Sequence, residues 1–303
     1  MLPSPTLHLA ALALCATDVV VRAVRLRLLM PGASGLSLWQ AVTINAYGDV
    51  ASAVTPGRVG GDPARFWACR RVGVEAPRAL AGLAVETLID WVLLAAATVI
   101  LGLAFADTAA AGARHLVRLA TGPTARLLVA LVLALALASA VAARWYRRRL
   151  PAGTLGSLAA AWQRARQLGW PCVTLAATLT ALSMALRVAI LPVLVAGQPG
   201  LTTGAVVLGS FTLLFGQLAL PTPAGAGAVE LGFVGGFAGT MSAGALATLL
   251  LAWRVYTLIL PAALGALLFA REALGRRRDL VDREIAARGL RPPSPQCGEG
   301  DRG

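Results

Sequence analysis

Eight apolar runs divide this chain, at about 7–24, 38–56, 79–104, 126–143, 173–195, 203–220, 228–239 and 245–270. A helix needs about 20 predominantly apolar residues to cross the hydrocarbon core of a bilayer, and several runs approach that length. The 303 residues are 57% hydrophobic and only 14% charged, and no soluble core hides so many such runs. Their Leu, Ala and Val content and their length favour helices over barrel strands. The chain is therefore expected to be an all-α polytopic membrane protein.

Two of these regions are interrupted in the same manner. The first interruption reads Pro56-Gly57-Arg58-Val59-Gly60-Gly61-Asp62, the second Pro221-Thr222-Pro223-Ala224-Gly225-Ala226-Gly227-Ala228-Val229-Glu230. Each joins helix-breaking Pro and Gly to a carboxylate within apolar sequence. Unwound backbone at membrane depth persists only where protein or a wet cavity satisfies its N–H and C=O groups. Paired interruptions in two halves of a chain point to a transporter's binding site.

The net charge of +13 comes entirely from arginine among the basic side chains. These arginines cluster between apolar runs, so control of topology by the positive-inside rule explains them without nucleic acid. Two topologies compete. If 38–56 crosses fully, the basic segments around Arg22, Arg25 and Arg27 and around Arg65, Arg70 and Arg71 fall on opposite faces. If 38–64 and 203–239 instead enter and return, all four strongly basic segments share one face. The second arrangement is preferred: about five full spans and two re-entrant or broken helical hairpins, N-terminus outside and C-terminus inside. Residues 1–270 then form the membrane domain and 271–303 a basic, partly disordered cytoplasmic tail. The spans at 7 and 173 and those at 79 and 245 both start 166 residues apart, which suggests an inverted repeat about the run at 126–143.

Ionisable groups at membrane depth are functional candidates. Glu86 and Asp90 share a helix face at i, i+4, and Arg187 and Arg254 lie in the second half. These acids and arginines are expected to meet between the halves, with a structural ion pair as the alternative. Asn45, Tyr47 and Asp49 precede the first break and are candidates to line a polar cavity, or to hydrogen-bond between helices. Arg58 and Arg65 suit bidentate phosphate recognition, or plain anchoring at the inner face. Asp62 is expected to cap a helix starting at Pro63, and Glu230 to sit just inside the helix that returns from the second break. The pairs Gly232/Gly236 and Gly235/Gly239 suggest tight helix packing.

Cys15, Cys69, Cys172 and Cys297 are scattered, and His8 and His115 are far apart, so no metal site and no cofactor is expected. No positive segment precedes the first run, which argues against a cleaved signal peptide. The chain has no GxxxxGK[ST] loop, no HExxH and no GxSxG. A nucleotide-driven or catalytic activity is accordingly not expected.

The set Arg22-x-x-Arg25-x-Arg27, Thr55-Pro56-Gly57-Arg58-x-Gly60-Gly61-Asp62-Pro63-x-Arg65, Glu86-x-x-x-Asp90, Pro223-x-Gly225-x-Gly227-x-x-Glu230 and Arg254 resembles the flippase-like membrane region of lysylphosphatidylglycerol synthases, over about residues 7–270. Thr87 departs from the pattern, standing where an arginine often follows the glutamate. The resemblance implies a bacterial inner-membrane protein that moves an anionic or polyprenyl-linked lipid between leaflets. No counterpart of those synthases' aminoacyl-transferring domain is expected here. Two other roles remain open. One is a membrane enzyme acting on a lipid; the other is a non-catalytic partner of a lipid-modifying or glycosyltransferase enzyme.

Overall fold

A computed structural model describes residues 4–30, 36–107, 165–198, 200–220, 222–237 and 240–287, with single positions at 110 and 163. The expected span at 126–143, Pro221, Gly239 and the end of the tail lie outside these residues. Described residues form helices joined by short turns. Helix α1 spans Pro5–Leu28, α2 Leu38–Val54, α3 Gly61–Arg71 and α4 Ala76–Ala104. Then come α5 at Trp170–Leu194, α6 at Thr203–Gly216 with a closing 3-10 turn at Gln217–Ala219, and α7 at Ala228–Phe237. Helix α8 covers Ala243–Arg254, and α9 covers Leu260–Ala287.

Among the described residues four helical stretches are long and apolar enough to cross a membrane: Pro5–Leu28, Ala76–Ala104, Trp170–Leu194 and Ala243–Gly275. The last joins α8 to α9 through a π-helical turn at Val255–Ile259. Pro261 follows that turn and has no N–H to give the Thr257 carbonyl, a common cause of a local change in helical pitch. Helix α4 is the least enclosed, with only 6% of its most apolar window buried. Leu88, Val92, Val99 and Leu103 are among its exposed side chains. Such a surface suits lipid tails, which are as apolar as leucine.

Helix ends follow from local sequence. Ser37 and Gln40 form a reciprocal capping box at the start of α2. Pro5, Pro77 and Pro171 occupy first-turn positions of α1, α4 and α5, where the missing N–H costs nothing. Pro192 inside α5 frees the Val188 carbonyl, and the buried Ser210 hydroxyl of α6 donates to it at 2.8 Å. That bond adds to the apolar packing of α6 on α5 through Leu191 and Leu214.

Helices α2 and α3 fold back on each other as a hairpin. A Cβ on Gly61 would lie 2.3 Å from Ser52 Oγ, and one on Gly48 2.5 Å from the Arg65 side chain, so only glycine permits this approach. Helix α2, at 17 residues, measures about 26 Å, short of the roughly 30 Å hydrocarbon core. Helices α1 and α5 run antiparallel: Leu28 faces Cys172, Arg25 faces Thr180 and Asp18 faces Ser183. Two main apolar clusters flank this pair. One centres on Leu26, Ile44 and Leu83 of the first half, the other on Leu191, Phe233 and Trp253 of the second.

Several expectations need correction. Arg22 and Arg25 do not belong to a loop: α1 continues to Leu28, and both arginines point into the protein, so they do not report topology. Asp62 is not the cap of α3: the helix starts at Gly61 with Gly60 in the cap position, and Asp62 stands in the first turn. Gly235 and Gly236 are not tightly packed: a Cβ on either would meet nothing within 4 Å among the described residues. The expected boundary at 270 falls inside α9, where Glu272 accepts hydrogen bonds from Arg71 and from Tyr47.

Candidate functional site

The two interruptions, far apart in sequence, meet in space. Pro56 and Pro223 pair across an isolated antiparallel bridge. Each break turns through a left-handed pair: Gly57 and Arg58 have φ of 57° and 60°, Ala224 and Gly225 have 50° and 69°. The spacing is constant beyond the turns. Helices α3 and α7 start at Gly61 and Ala228, and α4 and α8 start at Ala76 and Ala243, 167 residues apart in both cases. Positive φ is unfavourable for a side-chain-bearing residue, so Arg58 and Ala224 are held there by their surroundings.

Below the first break lies a network of charges. Arg22 of α1 grips Asp49 of α2 through two parallel bonds of 2.9 and 2.8 Å. Its Nε lies 3.1 Å from Asp18, close enough for an ion pair but not aligned as a hydrogen bond. The Ser183 hydroxyl of α5 donates to Asp18. One turn on, Arg25 donates to Glu86 and Asp90 of α4 and to Thr180 of α5, the last two at 2.6 Å. Arg65 of α3 donates to the other oxygen of Glu86 at 2.5 Å. Glu86 is 1% exposed and held between two guanidinium groups. A carboxylate buried so deeply persists because it is paired and hydrogen-bonded on both oxygens.

Against this network opens a cavity of about 400 Å³, within the size range of ligand pockets. Arg58 and Arg187 reach its wall. Among the described residues neither guanidinium has a carboxylate within ion-pair distance or a hydrogen-bond partner. Asp62 and Asp90 line the same space, together with apolar Trp91, Leu94, Phe215 and Leu218. A second void of about 10 Å³, room for one water, adjoins it through Arg22, Arg58 and Arg187 and reaches Asp18, Asp49 and Tyr256.

Ten residues selected from sequence thus separate into groups. Arg58, Asp62, Asp90 and Arg187 line the large cavity; Asp49 lines the small one. Glu86 and Arg65 stand behind the wall. Asn45 is buried in α2 with its Nδ2 unpartnered, away from both voids. Glu230 and Arg254 do not join the network: Arg254 donates to Glu230 at 3.0 and 2.6 Å and to the Ala224 carbonyl at 3.0 Å, bracing the second break. Glu230 also accepts the Gly227 N–H at 2.7 Å. The expected encounter of Glu86 with Arg254 therefore does not occur, because each half supplies its own counter-charges. Arg22, Arg25, Thr180 and Ser183 were not selected. The available signal was the i, i+4 pair Asp18/Arg22, which belongs inside a helix.

Residues 2–265 match the family model of the lysylphosphatidylglycerol synthase TM region. The chain belongs to this family. It is an integral, multi-pass membrane protein. No curated protein and no solved structure matched it. The match spans both breaks, the charge network and Arg254, the elements that carried the resemblance.

Proposed function

We propose that this family member is a lipid translocase of a bacterial inner membrane, in which a phosphate-bearing headgroup enters the cavity beside the paired breaks. One observation carries this proposal: Arg58 and Arg187 line open space and, among the described residues, have no carboxylate within ion-pair distance. Unpaired guanidinium groups at membrane depth are costly, and a lipid phosphate that accepts from both removes the cost. The apolar wall at Trp91, Leu94, Phe215 and Leu218 gives acyl chains a way past the polar interior. Glu86 is taken up by Arg25 and Arg65, which makes it a scaffold rather than a free base and favours transport over chemistry on the lipid.

The two breaks belong to an inverted repeat of span, hairpin and span, with hairpins that enter and return. The shared 167-residue spacing, the antiparallel α1 and α5 and the short α2 all support this. The N-terminus would lie outside and α9 would end inside. Leaflet exchange of labelled lipid in proteoliposomes is the test. Acceleration by the protein, lost in the Arg58→Gly, Arg187→Ala double variant, is expected. No acceleration of any phospholipid or polyprenyl phosphate by correctly inserted protein would remove the proposal.

A further inference from the structure

Resting on the translocase proposal, we infer that the headgroup taken by this cavity is zwitterionic, pairing a phosphate with a primary ammonium. The network and cavity hold five guanidinium groups (Arg22, Arg25, Arg58, Arg65, Arg187) and five carboxylates (Asp18, Asp49, Asp62, Glu86, Asp90). These ten side chains balance in charge. A phosphate bound alone leaves one uncompensated negative charge in a medium where such a charge is strongly disfavoured. A headgroup that brings its own cation leaves the balance intact.

Groups of both signs with spare hydrogen-bonding capacity line the cavity. Arg58 and Arg187 are the cationic ones. Asp62 is anionic: its side chain is 57% exposed, and among the described residues its side-chain contacts, with Arg65 and Thr87, are long at 3.4 Å. Hydrogen bonds weaken at that length, so both oxygens keep acceptor capacity. Asp90 is 40% exposed, and Oδ2 has only a 3.5 Å contact to Arg25 while Oδ1 is bonded. The adjacent Trp91 also lines this wall, and an aromatic ring attracts a nearby cation. An ammonium with three N–H donors matches these carboxylates; a quaternary amine has none to give.

The test is leaflet exchange in proteoliposomes containing trace acyl-labelled phosphatidylethanolamine, phosphatidylcholine or phosphatidylglycerol. Exchange of the ethanolamine lipid is expected to exceed that of the glycerol lipid about tenfold, with the choline lipid between them. Asp62→Asn, at an exposed position, should abolish that preference by slowing ethanolamine exchange about tenfold more than it slows glycerol-lipid exchange. Water-soluble glycerophosphoethanolamine at high concentration should inhibit if the headgroup chemistry alone is recognised. Inhibition of lipid exchange absent at any concentration would assign recognition to the membrane-bound lipid only, and the zwitterion preference would still stand. Equal rates for ethanolamine and glycerol lipids, or a uniform loss in Asp62→Asn, would overturn the inference and keep the translocase. Absence of exchange for every lipid would remove both.

Discussion

The first break and the second share a backbone turn and differ in what holds it. At the second, Arg254 is fixed on Glu230 and on the Ala224 carbonyl, and Glu230 closes back onto the Gly227 N–H. At the first, the local brace is the Thr55 hydroxyl, which accepts the Gly60 N–H at 2.9 Å, and Arg58 itself occupies the left-handed position with no ion-pair partner among the described residues. Gly225 stands where the first break has Arg58. One break is thus a satisfied support; the other carries a guanidinium into a cavity. A repeated backbone device supplies geometry twice, and the charged side chains decide which copy is braced and which lines the cavity.

The largest expected effect lies in the charge network on the side of the first break. Glu86→Ala leaves Arg25 and Arg65 without their shared carboxylate, and removing one member of a buried pair costs about 3–5 kcal/mol. Thermal unfolding in mild detergent should show a large fall in the midpoint, or no folded protein. A midpoint close to that of the unaltered chain would mean that Glu86 does not hold the two arginines. Next comes the direct contrast of the breaks. Arg254→Ala removes the support of the second turn and should lower stability by about 1–3 kcal/mol, with exchange falling only as the folded fraction falls. Arg58→Gly keeps the turn, since glycine accepts positive φ. It should hold stability within about 0.5 kcal/mol and cut lipid exchange about tenfold or more. Reversal of these two outcomes would exchange the roles of the breaks.

Much of the fold was legible because membrane helices declare themselves by length, and helix breakers in apolar sequence are rare. The breaks at Pro56 and Pro223 were legible as interruptions of apolar sequence, although their contact across the bridge was not readable from spacing. The charge network was read only in part, since a charge near the end of an apolar run has two meanings. Arg22 and Arg25 look like inner-face anchors until α1 is seen to continue to Leu28 and turn both toward α2 and α4. Partner choice was out of reach for the same reason: Glu86 meets Arg25 and Arg65 while Arg254 meets Glu230, and the repeat spacing describes repetition, not contact.

The smallest effect separates charge from geometry at the second break. Glu230 is 39% exposed, so its ion pair with Arg254 is partly screened by its surroundings. Glu230→Gln retains an oxygen that can still accept the Gly227 N–H or an Arg254 N–H, and loses only the charge. Its cost should be about 1 kcal/mol or less, below that of Arg254→Ala, which also frees the Ala224 carbonyl. Combining the two substitutions should cost less than their sum, because one shared contact is lost twice. If Glu230→Gln destabilises as much as Arg254→Ala, the pair's charge holds the turn and the carbonyl bond is secondary. The second break would then be an electrostatic support like the network beneath the first, and the contrast between them would rest on Arg58 alone.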